Sequence, residues 1–461
     1  MSSKNETPIL IAALFITLAL IAGGGLFFSR LLNSANQGFS GAEMPRELKQ
    51  NISAGSIILV PSADNEAKQF AAKAIAGGKT TEAIQLLSDY LKQFPNDPEA
   101  LIYLNNLQAL NHQPLKIAVV APIGSSLNTA QEMLRGAAQA QAEINQQGGI
   151  KGRFLHITLV NDANEPAIAK QFAEALVNNT EIVAVVGHNA SNASLSAAPT
   201  YQAGQLVMMN PTSFANGITD VGIYIFRVVP TVNITARSLV QRVQKQSKKI
   251  ATCYDSLAPD GMSFYQEFTA NLLATGHQLA ATVCDLNDPA FNAQAEMKEA
   301  LDSGADSLLL LPHVDRLKRA YDFAAVNQGR LKLYGNSTFS TIKTLEQGQT
   351  MKGLTLAVPW SSKNPANLLF AQAARQFWGG DVSWRTAGTY DAVYAVANGL
   401  SVNPTRQGLQ QALSQSDFAS KTINGEVRFL PNGDRTGQAT IVQVQQSKTH
   451  PTGYDFIPIA P

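Results

Sequence analysis

From Pro114 onward the chain alternates short runs of β-branched and aliphatic residues with longer stretches of helical period. LKIAVVAP, AQEMLRGAAQAQAEINQQ, FLHITLVND, AIAKQFAEALVN and IVAVVG follow one another. A second series then runs KKIATCYD, a helical stretch from Phe264 to Ala274, QLAATVCDL, a helix near Gln294 to Ser303, SLLLLP, a helix near Asp315 to Asn327, and LKLYG. Strand and helix in alternation imply parallel neighbours, because a parallel pair needs a crossover of a dozen or more residues, and such sheets carry helices on both faces. The two series predict two doubly wound α/β lobes in tandem. Sheets of this kind bind ligands outside the carboxyl ends of their strands, so the loops after VVAP, VVG, MMNP, CYD, LLLP and LYG are where a site is expected.

The segments before Pro114 read differently. Pro8 to Phe28 is a run of 21 residues without a charge, which at about 1.5 Å per residue matches a bilayer's hydrocarbon core. The run is longer than the apolar part of a signal peptide and no A-x-A site follows it, so residues 1–30 are expected to form an uncleaved transmembrane anchor. A lipid anchor is excluded because the only cysteines are Cys253 and Cys284. Residues 31–64 have no sustained period and suit a tether. Residues 65–112 have small residues at Ala72, Ala76 and Ala83, a turn at Gly77 and Gly78, and Pro95 after the second helix. That pattern resembles one tetratricopeptide repeat with a capping helix, which must pack on a neighbour. GGKTT lacks the first glycine of a phosphate loop, Lys73 standing in its place, and sits in a helical setting.

Lys plus Arg number 35 against 34 for Asp plus Glu, a net charge of +1. No summed field therefore draws the chain to nucleic acid, and no nucleic-acid partner is expected. There is no GxSxG, HExxH or CxxC, and the six histidines are scattered singly. No catalytic residue, metal site or cofactor is expected, and the chain is not expected to be an enzyme. The strand-end loops instead hold small hydroxyl and amide side chains: Asn189, Ser191, Asn192, Ser194, Thr212 and Ser213 in the first lobe, Ser337 and Thr338 in the second. Such groups suit recognition of a carboxylate without proton transfer. Capping of the following helices is the plainer role for each, and the two roles can coincide.

EINQQGGIKGRFLHITLVND, VVGHNASNASLSAAPTYQAGQLVMMNPTSFANG, YIFRVVPTV and GTYDAVYAVANGL together resemble type I periplasmic binding proteins, in particular the branched-chain amino acid (leucine/isoleucine/valine) substrate-binding family of ABC transporters. The likeness covers about Pro114 to Pro461. It implies two Rossmann-like lobes joined by three hinge strands and closing on a ligand. Lobe 1 is expected at 114–231 and 360–435, lobe 2 at 232–359 and 436–461, with the third crossing near FLPNGDRTG. The resemblance further implies that Ser191, followed by Ala193, and the backbone near Asn189 meet a ligand's α-carboxylate, with Thr212, Ser213 and Phe214 adding contacts. In the second lobe the pattern departs. Ser337 stands where the family has an acidic residue for the α-ammonium, Leu257 to Gly261 replaces an aromatic position, and His313 replaces a tyrosine. Asp255, Asp260 or Asp315 could substitute from a shifted position.

Cys253 and Cys284 end the first two strands of the second lobe, neighbours in a 2-1-3 strand order about 4.8 Å apart. That separation suits a disulfide in an oxidising compartment, and two buried thiols are the alternative. The expectation is a receptor anchored in the bacterial inner membrane with its soluble part in the periplasm. It would bind a small amino-acid- or amide-like ligand and present it to an ABC permease, and the helical repeat could hold a protein partner. The competing expectation is an envelope interaction or regulatory protein with a degenerate cleft. If Ser191, Thr212 and Ser213 face a polar pocket across from His313 and Ser337, the receptor is favoured; if Phe214 and Trp360 plug it, the scaffold is.

Overall fold

The computed structural model describes residues 44–61 and 66–460. The anchor read from residues 1–30 lies outside these, and among the described residues no helix is long and apolar enough to cross a membrane.

The chain enters through helix α1 (Arg46–Lys49), strand β1 (Ile52–Ser53) and helices α2 (Glu66–Ala76), α3 (Thr80–Gln93) and α4 (Pro98–Ala109). It then winds the first sheet: β2 (Leu115–Ala121), α5 (Leu127–Gln146), β3 (Leu155–Asn161), α6 (Pro166–Asn178), β4 (Ile182–Val186), α7 (Ser191–Ala203), β5 (Val207–Asn210) and β6 (Ile225–Pro230). Helix α8 (Val232–Val243) leads into the second sheet: β7 (Lys249–Tyr254), α9 (Pro259–Leu273), β8 (Gln278–Asp285), α10 (Ala293–Asp302), β9 (Ser307–Leu311), α11 (Leu317–Asn327), β10 (Lys332–Gly335), α12 (Ile342–Glu346) and β11 (Thr355–Val358). The chain returns through α13 (Leu368–Trp378), α14 (Trp384–Val402), α15 (Arg406–Leu413), the hairpin β12 (Ser420–Thr422) and β13 (Gly425–Val427), and β14 (Asp434–Arg435). It crosses a last time to β15 (Thr440–Gln446) and β16 (Tyr454–Pro458).

The sheets run β1-β3-β2-β4-β5-β6-β14 and β16-β15-β11-β10-β9-β7-β8. Both strands series are therefore wound in the same 2-1-3-4-5 order. The sheets are mixed rather than wholly parallel: β1 pairs antiparallel with β3, and β15 antiparallel with β11 and β16. Strand β2 shows why the central runs read as continuous apolar segments. Leu115, Ile117 and Val119 belong to one core, Ala118 and Val120 to the core on the opposite face, so both faces are buried.

Residues 44–60, read from the sequence as part of a tether, are built into the first lobe. Met44, Leu48 and Ile52 are buried beside Val160 and Phe172, and β1 lies on the edge of β3. A two-residue strand is too short to leave a periodic trace, which is why the sequence hides it. Further along the same edge the Asn106 side chain acts as a strand would: its amide donates to the Ile157 carbonyl at 2.7 Å and its oxygen accepts the Ile157 N–H at 2.8 Å. An exposed edge is thus covered. The three helices read as a repeat lie with α4 against α5 and β3. Lys68, fully buried, is paired at 2.7 Å with both Asp97 and Glu99, and Glu99 also accepts the Leu59 N–H at 2.6 Å. These bonds fasten the entering chain to the helices.

Candidate functional site

Strand β4 is followed directly by Gly187, and α7 begins four residues later at Ser191. A Cβ at Gly187 would stand 2.8 Å from Val120 Cβ and its carbonyl oxygen, so only glycine lets this loop leave so close to β2. The loop is then held by Asn210 at the end of β5. Its amide donates to the His188 carbonyl at 3.1 Å, and its oxygen accepts the N–H groups of Thr212 and Ser213 at 3.1 and 2.7 Å. His188 is itself buried between Asp162 (2.7 Å) and Tyr201 (3.1 Å), a structural role. Ser191 Oγ accepts the N–H groups of Phe214 and Ala215, each at 3.3 Å, which leaves its own proton to donate elsewhere. Arg227 on β6 holds the same loop from below. Its guanidinium donates to the Phe214 and Ala215 carbonyls at 3.1 and 2.9 Å and pairs with Asp434 at 2.5 Å.

Asn189, Ser191, Thr212 and Phe214 border a cavity of about 30 Å³ whose opposite wall is Asp260, His313, Ser337 and Thr338 of the second lobe. The predicted residues Ser213 and Ala193 do not border it. Ser213 Oγ faces inward to Ser194 Oγ at 2.7 Å, and Ala193 is buried within α7. Of the three carboxylates named as possible substitutes, Asp260 reaches the cavity, from the first turn of α9. Burial raises its pKa, with His313 and the N–H groups of Asp260 and Gly261 pulling the other way. Burial works against the charge of His313, yet Asp315, Asp260 and Asp255 together raise its pKa. Its Nδ1 accepts the Asp315 N–H at 3.3 Å, while Nε2 is buried without a partner.

Two further residues complete the wall, and the sequence reading missed them: Trp384 and Arg385, the first residues of α14. Close packing puts them there. A Cβ on Gly136 of α5 would stand 2.2 Å from the Thr386 carbonyl, and one on Gly388 would stand 2.7 Å from the Pro211 carbonyl. These two glycines let α14 settle against α5 and the 211 loop. The Arg385 guanidinium carbon lies 4.3 Å from the Trp384 ring centre, Trp384 meets Phe214 edge-on at 5.5 Å, and Arg385 Nη1 reaches across the lobes to the Ser340 carbonyl at 3.3 Å. Burial lowers the Arg385 pKa to about 10, against the pull of Glu132 and Asp260. Beyond this pair opens an outer chamber of about 600 Å³, lined by Glu132, Leu345, Trp360 and Phe456 among others. Trp384, Arg385 and Val314 border both spaces.

Cys253 and Cys284 lie directly opposite each other on β7 and β8, their Cα atoms 4.5 Å apart, and form a disulfide. Among the described residues no group of three His, Cys, Asp or Glu is placed to hold a metal ion.

Two doubly wound α/β units, crossed three times by the chain with polar loops facing each other between them, define a two-lobed binding fold. The sequence profile of the family described as "Periplasmic binding protein" matches residues 114–450, and the chain belongs to that family, whose members bind solutes rather than catalyse. It is similar to an amino acid binding protein of Pseudomonas aeruginosa, 31% identical over 144 residues, 30% of this chain and 38% of that one. It is also similar to a Leu/Ile/Val-binding protein of Escherichia coli, 34% identical over 111 residues, 24% of this chain and 30% of that one. The alignments thus span about a third of these relatives' length. In fold it is similar to a leucine binding protein of Thermotoga maritima, with a TM-score of 0.66 at 16% identity, covering 75% of this chain and 99% of that one.

Proposed function

We propose that the chain is the solute-binding receptor of an ABC importer and takes an amino acid between its lobes. The α-carboxylate would meet the free Ser191 proton and the 212–214 loop, and the α-ammonium would meet Asp260. One observation carries this reading: Ser191 and Asp260, from opposite lobes, border a single polar cavity with His313 and Ser337. Asp260 supplies the negative charge that Ser337 lacks. The names of the relatives, amino acid and Leu/Ile/Val-binding proteins, support it. The reading includes a periplasmic location, attachment through residues 1–30, an inner-membrane permease as partner, and a helical extension of repeat type free to hold another protein. Thermal melting of the full chain against a panel of amino acids tests it. A ligand at 100 times its dissociation constant adds roughly 2.7 kcal/mol, and D260N or S191A should abolish the shift. If no amino acid raises the melting point, the reading fails.

A second reading, an envelope interaction protein with a closed cleft, has one observation in its favour. Phe214 and Trp384 crowd the inner cavity to about 30 Å³, less than a whole amino acid fills. It predicts a flat response to every compound in the same panel.

A further inference from the structure

We infer that the ligand carries a second carboxylate beyond that of its amino acid head, and that Arg385 together with the Trp384 indole N–H receives it. The inference rests on the amino-acid reading above and names the class of ligand: an acidic amino acid.

Arg385 and Trp384 are both more than nine-tenths buried. Among the described residues Arg385 has no ion-pair partner, and the one hydrogen bond of its guanidinium is to the Ser340 carbonyl. Its Nε and the Trp384 Nε1 are buried N–H groups without an acceptor. A buried cation left unpaired is among the most unfavourable arrangements a fold can keep, and it persists where a partner arrives from outside. The nearby acids do not fill the role. Glu132 is committed to Arg135, the Ser383 N–H at 2.9 Å and the Thr386 hydroxyl at 2.6 Å. Burial biases Asp260 toward its neutral form, and the charge it keeps is the one the ligand's ammonium uses.

Space points the same way. A cavity of about 30 Å³ has room for the equivalent of about two waters, so it fits a head group and little more. The rest of the ligand has to leave past Arg385 and Trp384, which border both the cavity and the chamber of about 600 Å³. A side chain taking that route passes the two residues that carry the unpartnered Nε and Nε1 groups. A guanidinium beside an indole N–H suits a carboxylate, whereas a branched aliphatic side chain would leave both donors unpaired.

Titration calorimetry of the full chain with L-glutamate, L-glutamine and L-leucine tests the inference. Glutamine matches glutamate in shape and lacks the charge. Glutamate is expected to bind roughly tenfold to a hundredfold tighter than glutamine. R385Q should bring that ratio close to one, and R385K should keep part of it. Glutamine or leucine bound as tightly as glutamate by the native protein would overturn the inference and leave the amino-acid reading standing. Equal losses for all three compounds in R385Q would also overturn it, making Arg385 a strut to Ser340. Should R385Q fail to fold, the native glutamate-to-glutamine ratio decides alone. Binding of none of the three would remove the amino-acid reading and this inference with it.

Discussion

Asp434 closes a circuit that begins at Arg227: the two side chains pair at 2.5 Å, and the same guanidinium carries the Phe214 and Ala215 carbonyls of the ligand loop. The third crossing of the chain is thereby tied to the loop that faces the cavity. D434A leaves a buried guanidinium without its counter-charge, and a loss of about 3 to 5 kcal/mol is expected. Denaturant unfolding measures it. A loss under about 1 kcal/mol would mean that the two carbonyls hold Arg227 without help.

The carboxyl of Asp260 titrates above its ordinary value of 3.8 because it is buried. Its charged form is the one an ammonium prefers, so amino-acid affinity should fall as pH drops from neutral through that raised value. D260N should bind at least about tenfold more weakly at neutral pH and lose the pH dependence. For stability the sign is opposite. A carboxyl whose pKa rises on folding adds stability that is complete below 3.8 and lost as pH rises through the folded value. Unliganded D260N should therefore melt no lower than the native protein at neutral pH. Calorimetry and melting at several pH values report both quantities.

His156 on β3 is buried, and burial, assisted by Lys116, lowers its pKa from 6.5 to about 3. A histidine held neutral in this way contributes stability that is present above 6.5 and lost as pH falls toward 3. The native protein should weaken through that window by up to about 1.4 kcal/mol per pH unit from this group. H156Q should flatten the slope. Parallel slopes for the two proteins would show that the acid sensitivity arises elsewhere.

The bridge between Cys253 and Cys284 closes a loop with a sequence separation of 31, which on chain-entropy grounds stabilises the fold by roughly 3 to 4 kcal/mol. Reduction, or replacement of both cysteines by serine, should lower the unfolding free energy by about that amount. Mass measurement before and after reduction confirms the bond in purified protein. An unchanged free energy would remove its stabilising role.

The alternation of strands and helices, and the loops that carry Asn189, Ser191, Thr212, Phe214, His313 and Ser337, were legible because each follows a strand whose apolar run announces it. Thr212 and Ser213 are adjacent in sequence, and only the bond from Ser213 to Ser194 separates the cavity-facing residue from the inward one. Asp260 was within reach of sequence reasoning as one of three candidates, the choice among them depending on the turn of α9. Trp384 and Arg385 were not. They stand far along the chain on a helix from the returning segment, and their position depends on the Cβ-free faces of Gly136 and Gly388, which no periodicity encodes. The Trp-Arg pair just before GTYDAVYAVANGL was the available signal.

Helices α2 to α4 and strand β1 are fastened to the first lobe, through β3, α5 and the amide of Asn106. Whatever the N-terminal segment is held by holds that lobe too. In any hinged movement those helices travel with the first lobe and Ser191, as one body against the one that carries His313, Ser337 and Asp260.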